Sequence, residues 1–354
     1  MAYTEIDKPS DYFDTKLYTG NAGTQSITGL DFQPDWVSIK DRGATNSFMT
    51  FDSVRGATEL LNWNTTNAES TQTPTLTSFN SDGFSIGNNT ALNTNGNNLV
   101  AWNWKAGTSF TNDASSTGIG TIDSAGSVNT DAGFSITTFT GTGSAGTVAH
   151  GLGAIPKFLV VKSRSNANGW IVYHASLGAG KGISLDLDGA AFSTGSRWNS
   201  TEPTSTVFSL GTAADVNRSS GTHVCYAFSE KQGYSKFGSY TGNGNASGPF
   251  CYTGMKPAFI LRKRTDSTGS WLMQDNKRPG SNRAVANSLP TDNNVLYSNT
   301  NDAELFNNEL DILSNGFKLR ATDTFGNGSG ATYIYMAFAE NPFVTSTGVP
   351  ATAK

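Results

Sequence analysis

The chain has 354 residues, of which 15% are charged and 11% are aromatic, and its formal net charge is −4. Soluble domains average roughly 25% charged residues, and this sequence has no basic stripe, so nucleic acid is not expected as a partner. The aromatic content is enough to form a core and excludes a disordered composition, while the 39 glycines and the many short aromatic or β-branched runs favour strands joined by tight turns.

The N-terminal segment, residues 1–12, is predicted to be a short polar arm. It lacks the cationic start and the apolar run of a secretory signal. No run in the sequence approaches the roughly 18 apolar residues that a membrane span requires. A signal peptide and membrane insertion are therefore not expected.

One pattern then occurs three times: an aromatic-Thr-Gly phrase, a proline, an apolar run that contains a lysine, and a later aromatic residue. The aromatic follows the proline by 14 residues in every copy, in the pairs Pro34 and Phe48, Pro156 and Trp170, and Pro257 and Trp271. Such self-similarity indicates an internal repeat. We interpret Pro34 as the first residue of a strand, because proline cannot donate a ladder hydrogen bond, and the repeated stretch as a core hairpin.

The repeat divides the chain into three modules of about 100 residues, each with seven or eight short strands, which is typical of a β-sandwich. The predicted fold class is all-β, with three tandem homologous antiparallel β-sandwich modules of jelly-roll or lectin-like type. Between repeats 1 and 2 the sequence favours a small-residue linker, or alternatively an extended arm packed on a neighbour. The predicted parts are an N-terminal arm (1–12), repeat 1 (13–106), a linker (107–131), repeat 2 (132–233), repeat 3 (234–343) and a C-terminal arm (344–354).

Histidines and cysteines give little indication of catalysis. His150 and His223 belong to no metal-ligand spacing, and no nucleophile motif accompanies His174, so neither a metal nor another cofactor is expected. His150 is expected in a turn or cap. Cys225 and Cys251 are expected to be small buried side chains, with a mutual disulfide as the alternative.

Two acid–arginine pairs recur between copies. Asp52 and Asp275 are each followed three residues later by Arg55 and Arg278, whereas repeat 2 has His174 in the register of the aspartates. We interpret the pairs as surface ion pairs, worth below about 1 kcal/mol each, with a shared ligand contact as the alternative. His174 is expected to be a polar anchor at a strand end.

Three aromatic residues lie in the variable polar middle of the copies, each followed by Asn or Ser. They are Trp63, Trp198 and Tyr297. Aromatic rings among amides and hydroxyls suit a sugar-binding surface, because a ring offers a flat apolar face and the amides offer hydrogen bonds. We regard these residues as candidate glycan or partner contacts, and packed strand positions are the alternative.

Several phrases resemble a repeat module of virion structural proteins of tailed phages, often marine ones and commonly described as tail fibres. They stand here at 18–21 and 240–243 (YTGN), at 150–164 (from HGLG to the K-x-R after the apolar run) and at 335–340 (YMAFAE), and the resemblance covers about residues 13–343. It supplies no catalytic residue set.

The resemblance implies a non-enzymatic virion structural protein, a tail-fibre or receptor-binding component above all. Its implied partners are other virion proteins, copies of itself in a homo-oligomer with a trimer favoured, and the polysaccharide of the host surface. It would be made in the host cytoplasm and located in the virion, on the tail in preference to the head. A head decoration or accessory capsid protein is the alternative, and a glycan depolymerase is the third hypothesis.

Overall fold

The computed structural model describes residues 4–278, 294–306 and 310–351. Within them 45% of the residues lie in strands of antiparallel sheets and only 6% in helices, so the all-β prediction is confirmed. After a 3-10 turn at Pro9–Asp11, the strands and short helices fall into three groups, which we call units 1, 2 and 3.

Unit 1 contains β1 Phe13–Thr19, β2 Gln25–Thr28, β3 Trp36–Asp41, β4 Met49–Asp52, β5 Gly56–Leu61, β6 Ser70–Thr71, β7 Leu76–Asn80, β8 Gly83–Ile86, α1 Thr90–Asn93 and β9 Asn98–Trp104. Unit 2 contains β10 Thr108–Asn112, α2 Ala114–Thr117, β11 Ser124–Asn129, β12 Phe134–Thr140, β13 Gly146–Ala149, β14 Pro156–Ser163, β15 Trp170–His174, β16 Lys181–Ser184, β17 Phe192–Ser193, α3 Gly195–Trp198, β18 Val207–Leu210, α4 Ala214–Asn217 and β19 Thr222–Ser229. Unit 3 contains β20 Ser235–Thr241, β21 Phe250–Tyr252, β22 Met255–Arg264, β23 Leu272–Asp275, β24 Asn294–Tyr297, β25 Leu305–Phe306, β26 Leu310–Leu313, β27 Gly316–Leu319 and β28 Thr332–Pro342.

Each unit pairs one large sheet with one small sheet, and the large sheets share a strand order. That order is β1-β9-β3-β4-β5-β6 in unit 1, β12-β19-β14-β15-β16-β17 in unit 2 and β20-β28-β22-β23-β24-β25 in unit 3. The small sheets are β2-β8-β7, β13-β18 and β21-β27-β26. The last strand of each unit therefore lies second in this order: β9 between β1 and β3, β19 between β12 and β14, and β28 between β20 and β22.

The prediction of a linker at 107–131 is wrong. Strands β10 and β11 lie in this stretch, and they extend the large sheet of unit 2 beyond β12. The small polar residues misled the interpretation because these strands form the edge of the sheet, where few bulky side chains are needed. Phe110 is the one aromatic residue among them, and it is half-buried.

The repeated prolines occupy similar but not identical places. Pro156 is the first residue of β14. Pro34 lies two residues before β3, so the prediction that it starts a strand is wrong, and Pro257 is the third residue of β22. At Pro257 the register with β28 shifts on both sides, which accommodates a residue without an N–H in a central strand.

Both faces of the large sheets are buried. In β19, Cys225 and Ala227 face a core inside unit 2, while Val224, Tyr226 and Phe228 face a second core. This second core, the central core, collects side chains from all three units. The period-2 alternation of a strand thus places one side of each large sheet against its own small sheet and the other side against the neighbouring units.

Aromatic rings link the units across the central core. Trp36 of unit 1 stacks on Tyr226 of unit 2 with ring centroids 4.4 Å apart. Phe228 of unit 2 packs on Phe338 of unit 3 at 5.6 Å, and Phe338 in turn contacts Trp104 of unit 1 at 5.8 Å. Units 1, 2 and 3 therefore close into a ring around one aromatic core.

Candidate functional site

Polar side chains at the ends of three equivalent hairpin strands, β4, β15 and β23, reach the last strand of the next unit. Asp52 accepts a hydrogen bond of 2.7 Å from the Tyr226 hydroxyl, and Asp275 accepts one of 3.1 Å from the Trp102 indole. His174 lies 3.1 Å from the backbone oxygen of Tyr335. The three contacts run from unit 1 to 2, from 2 to 3 and from 3 to 1, so they close the same ring as the aromatic core.

The predicted surface ion pairs are in fact buried. The side chains of Asp52 and Arg55 are both 0% exposed, and those of Asp275 and Arg278 are likewise 0% exposed. The prediction failed because sequence spacing within one copy does not show that another unit covers this position. Burial acts to lower the pKa of Arg55, but attraction to Asp52 raises this pKa above its ordinary value.

Two glutamates extend these pairs across the unit boundaries. Glu69 contacts Arg55 at 2.8 Å and Arg164 of unit 2 at 2.7 Å. Glu304 of unit 3 makes the equivalent contacts with Arg278 and with Arg42 of unit 1, both at 2.8 Å. Burial acts to raise the pKa of Glu69, but hydrogen bonds from Arg164 and the charge of Arg55 hold it below the ordinary value.

The repeated lysines bind the loops of the preceding unit. Their ammonium groups donate to backbone oxygens: Lys162 to Thr66 at 2.9 Å, Lys263 to Asp188 at 3.1 Å and Lys40 to Asn301 at 3.3 Å. Burial lowers the pKa of each lysine to about 8. The lysine in the apolar run is therefore a tie between units.

A buried asparagine in each unit was missed by the sequence analysis. Asn93, Asn217 and Asn327 precede the last strand, and each accepts a backbone N–H from the residue after Thr-Gly, at 2.8 to 2.9 Å. The amide of Asn327 also donates to two backbone carbonyls, those of Ala321 and Asn245. These asparagines hold the recurring Thr-Gly turns, and an Asn shortly before a glycine (Gly96, Gly221, Gly330) was the available signal.

The histidines serve as structural hydrogen-bonding groups. His150 accepts the N–H of Leu152 at 3.2 Å, in agreement with the expected turn role. His174 accepts the N–H of Ser176 at 3.0 Å, as Asp52 does with Val54. Burial lowers the pKa of His150 and of His174 to about 4, so both are neutral near pH 7.

The structure does not bring the predicted glycan contacts to the surface together. Trp63 is 2% exposed in the central core, and Trp198 is 1% exposed in the core of unit 2. Neither ring can stack on a sugar, so the packed alternative applies to both. Tyr297 is half-buried at the end of β24, and its role in binding stays a prediction.

Trp63, Trp198 and Tyr297 also do not occupy equivalent positions in the three units. The backbone N–H of Phe48, Trp170 and Trp271 is accepted by Asn64, Asp186 and Asn299 respectively. The residue before each acceptor is Trp63 in unit 1, Leu185 in unit 2 and Ser298 in unit 3. Phe48, Trp170 and Trp271 are themselves buried, which agrees with their prediction as structural repeat positions.

Neither a cysteine pair nor a group of metal-ligating side chains is found in the part of the chain described here. Cys225 and Cys251 are free and buried in the cores of different units, so the mutual disulfide does not form. Among the described residues, no three His, Cys, Asp or Glu side chains are grouped to hold a metal ion. No helix within the described ranges is long and apolar enough to cross a membrane.

A cleft of about 490 Å³, which we call the junction cleft, opens at the surface. Its walls are Glu5 of the N-terminal arm, the turn 230–236 between units 2 and 3, the turn 252–254, and residues 343–344 after β28. The arm is fixed there by a salt bridge of 3.3 Å between Glu5 and Lys231. Tyr252, 58% exposed, stands at the wall formed by unit 3.

The fold and these contacts define an all-β protein in which paired sheets of three units surround a common core. Residues 8–342 match the model of the family described as a domain of unknown function, DUF7483, and the chain belongs to this family. The match spans all three units. A search of curated proteins finds no match to the chain.

Proposed function

We propose that the chain is a non-enzymatic structural protein of a tailed-phage virion, a tail-fibre or receptor-binding component that contacts host surface glycan. The observation that carries the proposal is the use of buried polar groups: Asp52, His174 and Asp275 all serve to join units. These buried polar groups hold the three units together as a rigid body. A rigid body that presents differing loops suits attachment and recognition, and the phrases that resemble phage virion modules supply the context.

We further propose that the three units are homologous copies of one sandwich module. The shared strand order and the three equivalent lysine ties support duplication of a single unit. On this proposal the ring arose when copies that once associated as separate chains were joined. Assembly of the whole chain into a homo-oligomer, with a trimer favoured, is part of the same proposal, and mass measurement of the purified protein in solution tests it.

Cryo-electron microscopy of the particle that carries the protein tests the location. Density for the ring of units on the tail, at a position exposed to the host, is the expected result. Density on the head shell would instead favour the alternative of a decoration protein. Absence of the chain from purified particles would contradict both.

A depolymerase is the remaining hypothesis, and it is tested with a reducing-end assay on host polysaccharide. We expect no released sugar. Glycoside hydrolysis requires two carboxyl groups that reach the substrate, and the engagement of Glu69 and Glu304 in arginine pairs between units favours this result.

A further inference from the structure

Exposed aromatic side chains on strands are confined to one place in the described part of the chain. Phe250 and Tyr252 on β21 are 46% and 58% exposed, and Cys251 between them points into the core of unit 3. Both rings therefore lie on the outer face of the small sheet of unit 3. The third strongly exposed aromatic, Phe325, lies in a turn and is 45% exposed.

Comparison with the other units shows that the fold does not require these rings. Cys251 pairs with Phe317 as Ile27 pairs with Phe84 in unit 1. Phe250 and Tyr252 therefore occupy the positions that Ser26 and Thr28 hold in unit 1. Replacing small polar residues by two large exposed rings adds apolar surface in contact with water, which points to a binding role.

Tyr252 forms a wall of the junction cleft, so the exposed rings and the polar cleft are continuous. Glu5 and Glu230 supply carboxylate oxygens, with side chains 53% and 29% exposed. Each is also paired with a lysine, Glu5 with Lys231 at 3.3 Å and Glu230 with Lys236 at 2.6 Å. The cleft therefore offers hydrogen-bond acceptors close to an aromatic face, and it offers no uncompensated positive charge.

We propose that the junction cleft with Phe250 and Tyr252 is a binding site for a neutral oligosaccharide, an inference that rests on the proposed function as a receptor-binding protein. A pyranose ring packs its apolar face on Tyr252, and its hydroxyls donate to Glu5 and Glu230. Balanced charge in the cleft selects against acidic sugars, because both lysines already have carboxylate partners. The volume of about 490 Å³ lies in the range of small-molecule sites and accommodates a short saccharide segment.

Saturation-transfer difference NMR on the purified full chain tests the site. The probes are cellotetraose and chitotetraose as neutral oligosaccharides and tetragalacturonate as an acidic one. The double variant Phe250→Ser with Tyr252→Thr installs the residues that unit 1 uses at these positions, so it is expected to fold with an unchanged melting temperature. Phe325→Ser is the matched control, because it removes a similarly exposed ring away from the cleft.

We expect saturation transfer to at least one neutral probe and none to tetragalacturonate. The double variant should bind about tenfold more weakly or not at all, while Phe325→Ser binds as the wild type does. No transfer to either neutral probe, or equal binding by the double variant, would overturn the proposal. The proposal would also be overturned if the wild type bound no sugar and the double variant lost its attachment to virion proteins. The two rings would then bind a protein partner. If neither neutral sugar binds but the chain is located on the tail, the proposed function stands and only the sugar site is rejected. If the chain is absent from particles, the proposed function is contradicted whatever the NMR shows.

Discussion

The phenolic oxygen of Tyr226 lies 2.7 Å from Oδ2 of Asp52, although the two residues are 174 positions apart in the chain. Asp52 also forms a buried ion pair with Arg55. One carboxylate thus satisfies a buried guanidinium of its own unit and a buried hydroxyl of the next. The contact therefore connects the end of β4 to the next unit and helps to close the ring of three units.

Asp52→Ala should therefore destabilise the protein strongly. Removing one partner of a buried ion pair leaves the other charge unpaired, which costs about 3–5 kcal/mol in the free energy of unfolding. Asp266→Ala is the matched control, because Asp266 pairs with Arg264 at 2.7 Å but is 38% exposed, and its loss should cost below about 1 kcal/mol. Urea unfolding of both variants measures the difference, and equal losses would show that burial does not decide the strength of these pairs.

Stability should fall as the pH is lowered from 6.5 towards 4, with His174 as one cause. Burial lowers the pKa of His174 from 6.5 to about 4, so between these values the unfolded chain binds more protons than the folded chain. Protonation would also remove the acceptor for the Ser176 N–H. The contribution of His174 to the free energy of unfolding is fully present above pH 6.5 and is lost progressively as the pH falls to about 4.

The variant His174→Asn tests this dependence, since a neutral amide can accept the same N–H and does not titrate. Between pH 6.5 and 5 the slope of unfolding free energy against pH should be smaller than in the wild type by up to about 1.4 kcal/mol per pH unit. Identical slopes in chemical denaturation would show that His174 titrates normally in the folded protein.

Asn327→Ala should loosen the Thr-Gly turn of unit 3. The substitution removes the acceptor of the Asn243 N–H and the donor to the carbonyls of Ala321 and Asn245. Leaving buried backbone groups unsatisfied costs about 1–3 kcal/mol. Asn67→Ala, at an exposed position, is the control and should change stability by less than about 0.5 kcal/mol. An unchanged melting temperature for Asn327→Ala would contradict the role of Asn327 in holding the Thr-Gly turn.

Both thiols should resist modification in the folded protein. Cys225 and Cys251 are buried and free, and burial raises the pKa of Cys251 to about 12 and that of Cys225 further. A water-soluble disulfide reagent should label neither cysteine in buffer and both in denaturant. Rapid labelling of the native chain, or missing thiols after unfolding without reductant, would be inconsistent with this arrangement.

The sequence predicted what depends on spacing within one copy. The constant distance from Pro156 to Trp170 identified the hairpin of β14 and β15, and the same distance identified its counterparts in the other units. These features follow from the period of a strand, which can be read directly from the order of residues.

The sequence could not predict what depends on a neighbouring unit. Asp52 and Arg55 resemble an exposed pair until unit 2 covers them. Trp63 resembles a loop aromatic until the central core surrounds it. Such contacts join residues more than a hundred positions apart, and a single sequence carries no signal for which positions meet. The exposed pair Phe250 and Tyr252 was missed for a related reason, since an aromatic residue in a strand ordinarily predicts burial.

Scanning calorimetry of the full chain tests most directly the central claim that the three units form one body around the aromatic core. The shared core and the ties made by Lys40, Lys162 and Lys263 predict one unfolding transition, for which the calorimetric and van't Hoff enthalpies agree. Separate transitions, or a calorimetric enthalpy about three times the van't Hoff value, would contradict it and show three independent modules.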